Sequence, residues 1–405
     1  MKCGLLGEKL GHSYSPQIHN SLGSYSYELF EKQPEELAQF LQSGAFHGLN
    51  VTIPYKKAVI PYLTELSPIA AKLGAVNTIV RRKDASLIGH NTDYFGFKTM
   101  VEASGLQVSG KKALVLGSGG ASNTAVAVMK ELGSQVIIIS RSGENNYSNL
   151  NRHRDAAIIV NTTPVGMYPN VSDSPVSLEQ FPALEGVLDL IFNPARTKLL
   201  QEAETRGLVA MNGLLMLVAQ AKESAEWFTG NSIEDEKIGE IHQALQKKMQ
   251  NIVLIGMPGC GKTSVAAELA HLTGKEVVDA DAEIVAQTGM TIPEIFAKSG
   301  EAAFRRLETQ VLEQLGKRSG IILSTGGGCV TRPENYPLLH QNGQIFWLKR
   351  QIAALPTDGR PISQTTDLNK LFECRRPLYE AFADEIIENN GTLADAAEKI
   401  LEKLL

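Results

Sequence analysis

The sequence predicts an α/β protein assembled from nucleotide-binding modules, and three observations carry that expectation. Gly256-Met-Pro-Gly-Cys-Gly-Lys-Thr263 is a complete GxxxxGK[ST] phosphate loop, placed between a β-type run, Asn251–Ile255, and an amphipathic run, Ser264–Ala270. Upstream, Lys112–Leu116, the turn Gly117-Ser-Gly-Gly-Ala121, a helical run from Ser122 to Leu132 and the strand Gln135–Ile139 form a βαβ pattern. The first hundred residues alternate strand and helix patterns, with polar groups bunched at loop positions rather than spread along the elements. At 405 residues the chain exceeds one ordinary domain and suits two or three cores.

A formal charge of −5 and an isoelectric point near 6.0 supply no basic field for nucleic acid or anionic lipid, so the expected partners are small molecules, with an oligomer left open. No stretch approaches the roughly 20 apolar residues of a membrane span, and Met1-Lys-Cys-Gly-Leu-Leu-Gly-Glu8 reads as strand and turn rather than a signal peptide. A cytoplasmic location is expected. Cys3, Cys260, Cys329 and Cys374 are scattered without a CxxC pair, which points to neither a zinc site nor a disulfide framework.

From the N-terminus, the first polar clusters are His12-Ser-Tyr-Ser-Pro16, Asn50-Val-Thr-Ile-Pro-Tyr-Lys56, and Gly74-Ala-Val-Asn77 leading to Asn91-Thr-Asp93. Each has an innocent reading: Ser15-Pro16 as N-cap and first helical residue, Lys56 as a surface lysine, Asp93 as a helix cap. In the βαβ unit the turn glycines would let a dinucleotide pyrophosphate approach a helix N-terminus, although Ser122 replaces the third glycine of GxGxxG and such a turn can be purely structural. At the end of the second strand stands Ser140-Arg141-Ser142, where an NAD enzyme would carry an acidic residue; an arginine suits the 2′-phosphate of NADP, and a solvated surface arginine would look the same.

In the phosphate loop, backbone N–H groups would turn inward on phosphates, Lys262 would reach the β/γ oxygens and the Thr263 hydroxyl would join a Mg²⁺ shell. Further on, Asp279-Ala-Asp281 at a strand end would place both carboxylates on one face, since strand side chains repeat every second residue. One could serve Mg²⁺ and the other the acceptor. Arg360, in the polar stretch Asp358-Gly-Arg-Pro361, fits a lid closing on ATP phosphates, or an ordinary loop.

The ordered series HSYSP, NVTIPYK, GAVNT, NTD, GSGGA, NTTPVGM (Asn161–Met167) and NGLLMLVAQ (Asn212–Gln220) resembles shikimate dehydrogenase through residue 245 or so. From about Asn251 the chain is similar to shikimate kinase: after the phosphate loop come Val277–Asp281, Phe304-Arg-Arg-Leu-Glu308, Ser324-Thr-Gly-Gly-Gly328, Asp358–Pro361 and Arg375-Arg-Pro-Leu-Tyr379.

The resemblance implies an α/β substrate domain over 1–100, completed by helices at about 213–245, a Rossmann-like NADP domain over 101–212, and a P-loop kinase domain with a parallel sheet over 246–405. Their junction, Gln246–Gln250, has no flexible spacer, so the two enzymes are expected to sit close together. The implied reactions are NADPH-dependent reduction of 3-dehydroshikimate to shikimate and MgATP-dependent phosphorylation of shikimate. Ser13 and Ser15 would hold the substrate carboxylate, and Thr52, Lys56, Asn77, Asp93 and Gln220 the ring hydroxyls and reacting carbonyl. Hydride delivery to a ketone leaves an alkoxide that needs a proton, which an ammonium held by a carboxylate can give, so Lys56 is read as acid/base and Asp93 as its partner.

Phe192 stands where many relatives have a tyrosine near the substrate, and the polar stretch Gly143–Arg154 is short for the helix usual there. The implied NADP set is Gly117, Ser118, Gly119, Gly120, Ala121, Ser140, Arg141, Ser142, Leu190 and Gly213. In the kinase, Gly259, Cys260, Gly261, Lys262, Thr263, Ser264 and Arg360 would hold ATP, with Thr263 and Asp279 near the metal. Asp281 would hold and deprotonate the attacking hydroxyl, Arg305 and Arg375 would clamp the substrate carboxylate, and Gly327 would let backbone approach the ring. Two rivals stay open: an NAD-linked quinate dehydrogenase in the N-terminal part, and a metabolite-sensing regulator built from inactive domains.

Overall fold

The structure is a computed structural model describing residues 1–11, 13–355 and 367–404. Its strands form three sheets, each of which meets its helices through buried aliphatic faces. The first sheet takes β1 (Lys2–Gly7), β2 (Ser26–Glu31), β3 (Gly48–Val51), β4 (Glu65–Leu66), β5 (Thr78–Arg81) and β6 (Leu87–His90) in the order β2-β1-β3-β5-β6-β4. It is mixed: β1 runs parallel to β2 and β3, while β5 is antiparallel to both β3 and β6. Helices α1 (Ser15–Leu22), α2 (Leu37–Gln42), α3 (Pro68–Leu73) and α4 (Asp93–Ala103) connect or follow these strands. The antiparallel β3–β5 pair sets Asn50 opposite Thr78, and that register brings the motifs NVT and NTD to the same end of the sheet.

The second sheet is all parallel, in the order β11-β10-β9-β7-β8: β7 (Lys112–Leu116), β8 (Gln135–Ile139), β9 (Ile158–Asn161), β10 (Gly186–Asp189) and β11 (Val209–Met211). Its central strands are covered on both faces, which is why Ala113–Leu116 and Ile158–Val160 are continuous buried runs without polar alternation. Here α5 (Gly120–Glu131) follows β7, beginning two residues before the expected Ser122, and α6 (Lys198–Thr205) precedes β11. Two helices, α7 (Leu214–Thr229) and α8 (Glu236–Met249), follow it. Helix α7 packs against α4 and α1 beside the first sheet. In place of a helix, residues 143–154 are knit by asparagines: Asn146 Nδ2 donates to the Gly143 carbonyl and Asn149 Nδ2 to that of Glu144, ahead of a 3₁₀ turn at Leu150–His153.

The third sheet is also parallel, in the order β13-β14-β12-β15-β16. Its elements are β12 (Asn251–Ile255), α9 (Lys262–Thr273), β13 (Glu276–Asp279), α10 (Ala280–Thr288), α11 (Ile292–Gly316), β14 (Ile321–Ser324), α12 (Asn335–His340), β15 (Gly343–Lys349), α13 (Leu368–Phe382), β16 (Glu385–Glu388) and α14 (Leu393–Glu402). β12 is buried along its whole length, so the loop after it leaves the carboxyl edge of the sheet, where α/β folds place their ligands.

One expectation changes here. Strand β13 ends at Asp279, whose side chain caps α10 by accepting from the N–H groups of Asp281 and Ala282 at 3.0 and 3.2 Å. Asp281 therefore lies in the first turn of a helix, and strand alternation is not what relates the two carboxylates.

The chain divides into two compact units, one of residues 1–167, 172–192 and 199–244, the other of 168–171, 193–198 and 245–405. The division falls within α8. Inside the second unit the last carbonyls of that helix are closed by Lys275, whose ammonium donates to the carbonyls of Lys247, Lys248 and Gln250 at 2.8–2.9 Å. Burial holds the Lys275 pKa down at about 8. Among the described residues no helix is long and apolar enough to cross a membrane.

Candidate active sites

In the first unit the loop after β3, the start of β5 and the start of α4 converge. Lys56 Nζ lies 2.6 Å from Asp93 Oδ2, with side-chain exposures of 29 % and 15 %. Asn77 Nδ2 donates to the other carboxylate oxygen, Asp93 Oδ1, at 3.0 Å and to Thr92 Oγ1 at 3.0 Å. The backbone N–H of Thr92 donates to Asn77 Oδ1 at 2.7 Å, and this fixed donor sets which end of the Asn77 amide faces Asp93. Thr52 is held by its N–H on the Leu6 carbonyl at 2.9 Å, and Ser13 Oγ accepts from the Ser15 N–H at 3.2 Å.

Gln220, on α7, donates to the Leu217 carbonyl at 2.9 Å, and its Oε1 lies 3.4 Å from Thr92 Oγ1. Phe192 meets the edge of Tyr14 with centroids 6.2 Å apart. Thus Lys56, Asn77, Asp93 and Gln220 form one cluster, while Phe192 joins the Ser13–Ser15 loop. Beneath the cluster sit Asn50, Thr78, Thr92 and Ser224, all buried and not assigned from the sequence. Deeper still, His19 is hydrogen-bonded to the Tyr25 hydroxyl at 2.7 Å and stacked on Tyr27 at 4.0 Å; burial pulls its pKa down to about 3.

The Gly-rich turn between β7 and α5 fits a dinucleotide. Gly117 has φ of 112°, and a Cβ there would meet Thr162 Oγ1 at 2.7 Å, so glycine is required. Ser122, in place of the third glycine, donates its hydroxyl to the Gly117 carbonyl at 2.8 Å and so braces the turn. Gly119 and Gly120 face open space, leaving the N-terminus of the 12-residue α5 accessible to a pyrophosphate. Ser140, Arg141 and Ser142 follow β8, with Arg141 exposed. Leu190 and Gly213 touch: the Leu190 carbonyl occupies the place of a Gly213 side chain.

In the second unit a cavity of about 470 Å³ is lined by the phosphate loop, Asp279, Asp281, Arg305, Gly326–Gly328, Arg350 and Arg375. Gly261 takes φ of 100° as the loop enters α9, and Asn389 Nδ2 braces that loop on the Cys260 carbonyl at 2.7 Å. Lys262 Nζ donates to the carbonyls of Gly256 and Met257 at 2.9 and 3.1 Å. Asp279 Oδ2 accepts from Ser324 at 3.1 Å and Thr263 at 3.4 Å, a hydroxyl–carboxylate set that fits Mg²⁺, which takes few protein ligands alongside substrate phosphates.

Arg375 donates to the Gly327 carbonyl at 3.0 Å, as does Tyr379 OH. Arg305 is engaged by Glu308 at 2.8 Å and Glu301 at 3.1 Å. Burial, and behind it the charge of Asp279, push the Asp281 carboxyl above the usual range against the pull of Lys262 and Arg305. Asp281 Oδ1 and Glu308 Oε1 find no hydrogen-bond donor among the described residues; both flank Gly326, at 2.9 and 2.5 Å from where its Cβ would stand. Glu308, Ser324 and Arg350 were not assigned from the sequence. Glu308 stands three residues after Arg305 on a helix, a spacing that makes ion pairs. Arg360 lies outside the described residues.

These features define a two-sheet α/β oxidoreductase module followed by a P-loop kinase module. The family model for the shikimate dehydrogenase substrate binding domain matches residues 5–79, and that for shikimate kinase matches 258–405. The shikimate dehydrogenase (NADP(+)) of Clostridium perfringens is 34 % identical over 265 residues, 60 % of this chain and 97 % of that protein. Among solved structures, a chorismate mutase/shikimate 5-dehydrogenase fusion protein from Clostridium acetobutylicum is 36 % identical, with TM-score 0.59, over 61 % of this chain and 97 % of the other. Shikimate 5-dehydrogenase from Thermus thermophilus, in complex with NADP(H) and shikimate, is 31 % identical with TM-score 0.56 over 60 % and 99 %. The chain belongs to the shikimate dehydrogenase family and carries a shikimate kinase domain at its C-terminal end.

Proposed function

We propose that this chain is a bifunctional shikimate-pathway enzyme of the cytosol, reducing 3-dehydroshikimate to shikimate in its first unit and phosphorylating shikimate at the 3-hydroxyl in its second. The observation that carries the reading is the Lys56–Asp93 pair at 2.6 Å, in a chain that also holds a complete phosphate loop. When bound, NADPH supplies the hydride and MgATP the phosphoryl group.

Lys56 gives its proton to the alkoxide that reduction produces, and Asp93 orients the ammonium. Asn77 and Gln220 hold ring hydroxyls from either side of that pair, Thr52 adds a third contact, and Ser13 and Ser15 hold the carboxylate. Phe192 supplies ring surface without a hydroxyl. The Gly117–Ala121 turn and the α5 N-terminus hold the pyrophosphate, Leu190 and Gly213 border the nicotinamide, and Arg141, flanked by Ser140 and Ser142, selects the 2′-phosphate.

In the kinase unit Gly259–Ser264 cradle the phosphates, and Thr263 and Asp279 hold the metal. Asp281 takes the hydroxyl proton: its raised pKa makes it a better base than an exposed carboxylate. Arg375, and Arg305 through the edge that Glu301 and Glu308 leave, bind the substrate carboxylate, while Gly327 presents backbone to the ring. One tube containing 3-dehydroshikimate, NADPH and MgATP should yield shikimate 3-phosphate; NADPH oxidation without phosphate ester, or neither, refutes the bifunctional reading.

A further inference from the structure

Ser224 lies one helical turn beyond Gln220 on α7, is fully buried, and has four polar neighbours. Its Oγ donates to the Gln220 carbonyl at 2.9 Å. It accepts from Asn50 Nδ2 at 2.7 Å, and lies 2.9 Å from both Thr78 Oγ1 and Thr92 Oγ1. A hydroxyl offers one hydrogen and two lone pairs, so once Gln220 and Asn50 are counted only one threonine can be served. Thr78 gives its hydrogen to Asn77 Oδ1 at 3.1 Å, which leaves Thr92 as the donor to Ser224. Thr92 then receives from Asn77 Nδ2, whose second hydrogen goes to Asp93 Oδ1. The directions run as one chain: Asp93 from Asn77, Asn77 to Thr92, Thr92 to Ser224, with Asn50 fixing Ser224 and the Tyr27 hydroxyl fixing Asn50 at 2.7 Å.

We propose that Ser224 is a positioning residue for the reduction step: by accepting from Thr92 it orients Asn77 and Asp93 relative to Lys56, and by bonding the Gln220 carbonyl it ties the helix carrying Gln220 to the same frame. This rests on reading the first unit as the dehydrogenase. Without the Ser224 oxygen, the Thr92 hydrogen has two poorer acceptors, Asn77 Oδ1 at 3.3 Å and Gln220 Oε1 at 3.4 Å. Turning to either disturbs a group that faces substrate. Small displacements in such a frame cost rate more than affinity.

The test is steady-state reduction by Ser224→Ala and Ser224→Cys in the full chain, with NADPH titrated by fluorescence to show that the first unit is folded. Cysteine fills the space with a much weaker hydrogen-bonding group. Both variants should lose roughly ten- to a hundredfold in kcat, with KM for 3-dehydroshikimate moving less than about threefold. The kinetic isotope effect with 4-deuterated NADPH should rise as hydride transfer becomes slower, and phosphorylation of supplied shikimate should be unchanged. If Ser224→Ala only lowers the melting temperature, with kcat and isotope effect as in the parent, or if Ser224→Cys restores the full rate, Ser224 is packing and the inference falls. If the parent chain itself does not reduce 3-dehydroshikimate, the functional reading fails first.

Discussion

Lys56 and Asp93 meet at 2.6 Å with Asn77 on the second carboxylate oxygen, whereas Asp281 and Glu308 each turn a buried oxygen toward Gly326 without a donor among the described residues. The first centre is assembled by its own side chains. In the second, desolvated oxygens cost stability, about 1–3 kcal/mol for each unsatisfied group, and a donor brought by substrate, a hydroxyl hydrogen above all, would relieve that cost. On the proposed roles, the difference teaches that an acid/base ion pair would be satisfied before substrate arrives, while a carboxylate kept for taking a proton would be held at a cost to its own fold.

The sharpest way to break this comparison is to remove one group from each centre. Lys56→Ala should lower reduction by roughly 10²–10⁴-fold and leave phosphorylation intact, and Asp281→Asn should do the reverse while ATP still binds; separate assays of the two half-reactions would expose any variant that silences both. Next in size is cofactor choice. Arg141→Ala should raise KM for NADPH by about tenfold or more and barely move NADH, because only the 2′-phosphate makes a charge-assisted bond; equal losses would show that Arg141 is not the selector.

The stability contrast can be tested directly, since the two aspartates should change sign. Asp93→Asn removes an ion pair and should destabilise the first unit by about 1–3 kcal/mol. Asp281 has a folded pKa above its unfolded value, so at neutral pH its charge opposes folding. Asp281→Asn should therefore stabilise the second unit, and its amide would offer Glu308 Oε1 a donor. Urea unfolding that finds both substitutions destabilising would remove the contrast.

At neutral pH the smallest effect is the one His19 controls, which grows only as the solution is acidified. His19 stays neutral in the folded state down to about pH 3, against an ordinary value of 6.5. Between those values the unfolded chain binds a proton that the folded one refuses, so first-unit stability falls as pH drops below 6.5, by up to about 1.4 kcal/mol per pH unit. His19→Asn should flatten that slope, while the second unit's unfolding supplies the reference.

The strands Lys112–Leu116, Gln135–Ile139 and Asn251–Ile255 were legible to the residue: the first and last are covered on both faces and read as unbroken aliphatic runs, and the second, a partly exposed edge strand, is marked by its β-branched run between turn residues. Asp279-Ala-Asp281 was misread for a local reason: Asp279 followed by Asp281 and Glu283 is an N-cap with an acidic first turn, and the capping pattern outweighs strand alternation. Glu308 was within reach through its spacing from Arg305. Ser224 was not: it meets Asn50 across 174 positions of sequence, and a serine on a helix carries no mark of the partners that tertiary packing brings to it.

Lys275 bears on where this protein can be cut. Its ammonium depends on three carbonyls from residues 247, 248 and 250, so a kinase fragment begun at Asn251 would be born with a half-buried cation stripped of its acceptors. Starting ahead of Leu245 keeps the plug and its socket on one polypeptide. Expression boundaries drawn at the strand that leads into the phosphate loop would miss this, since the residues that matter precede it and belong to the end of a helix.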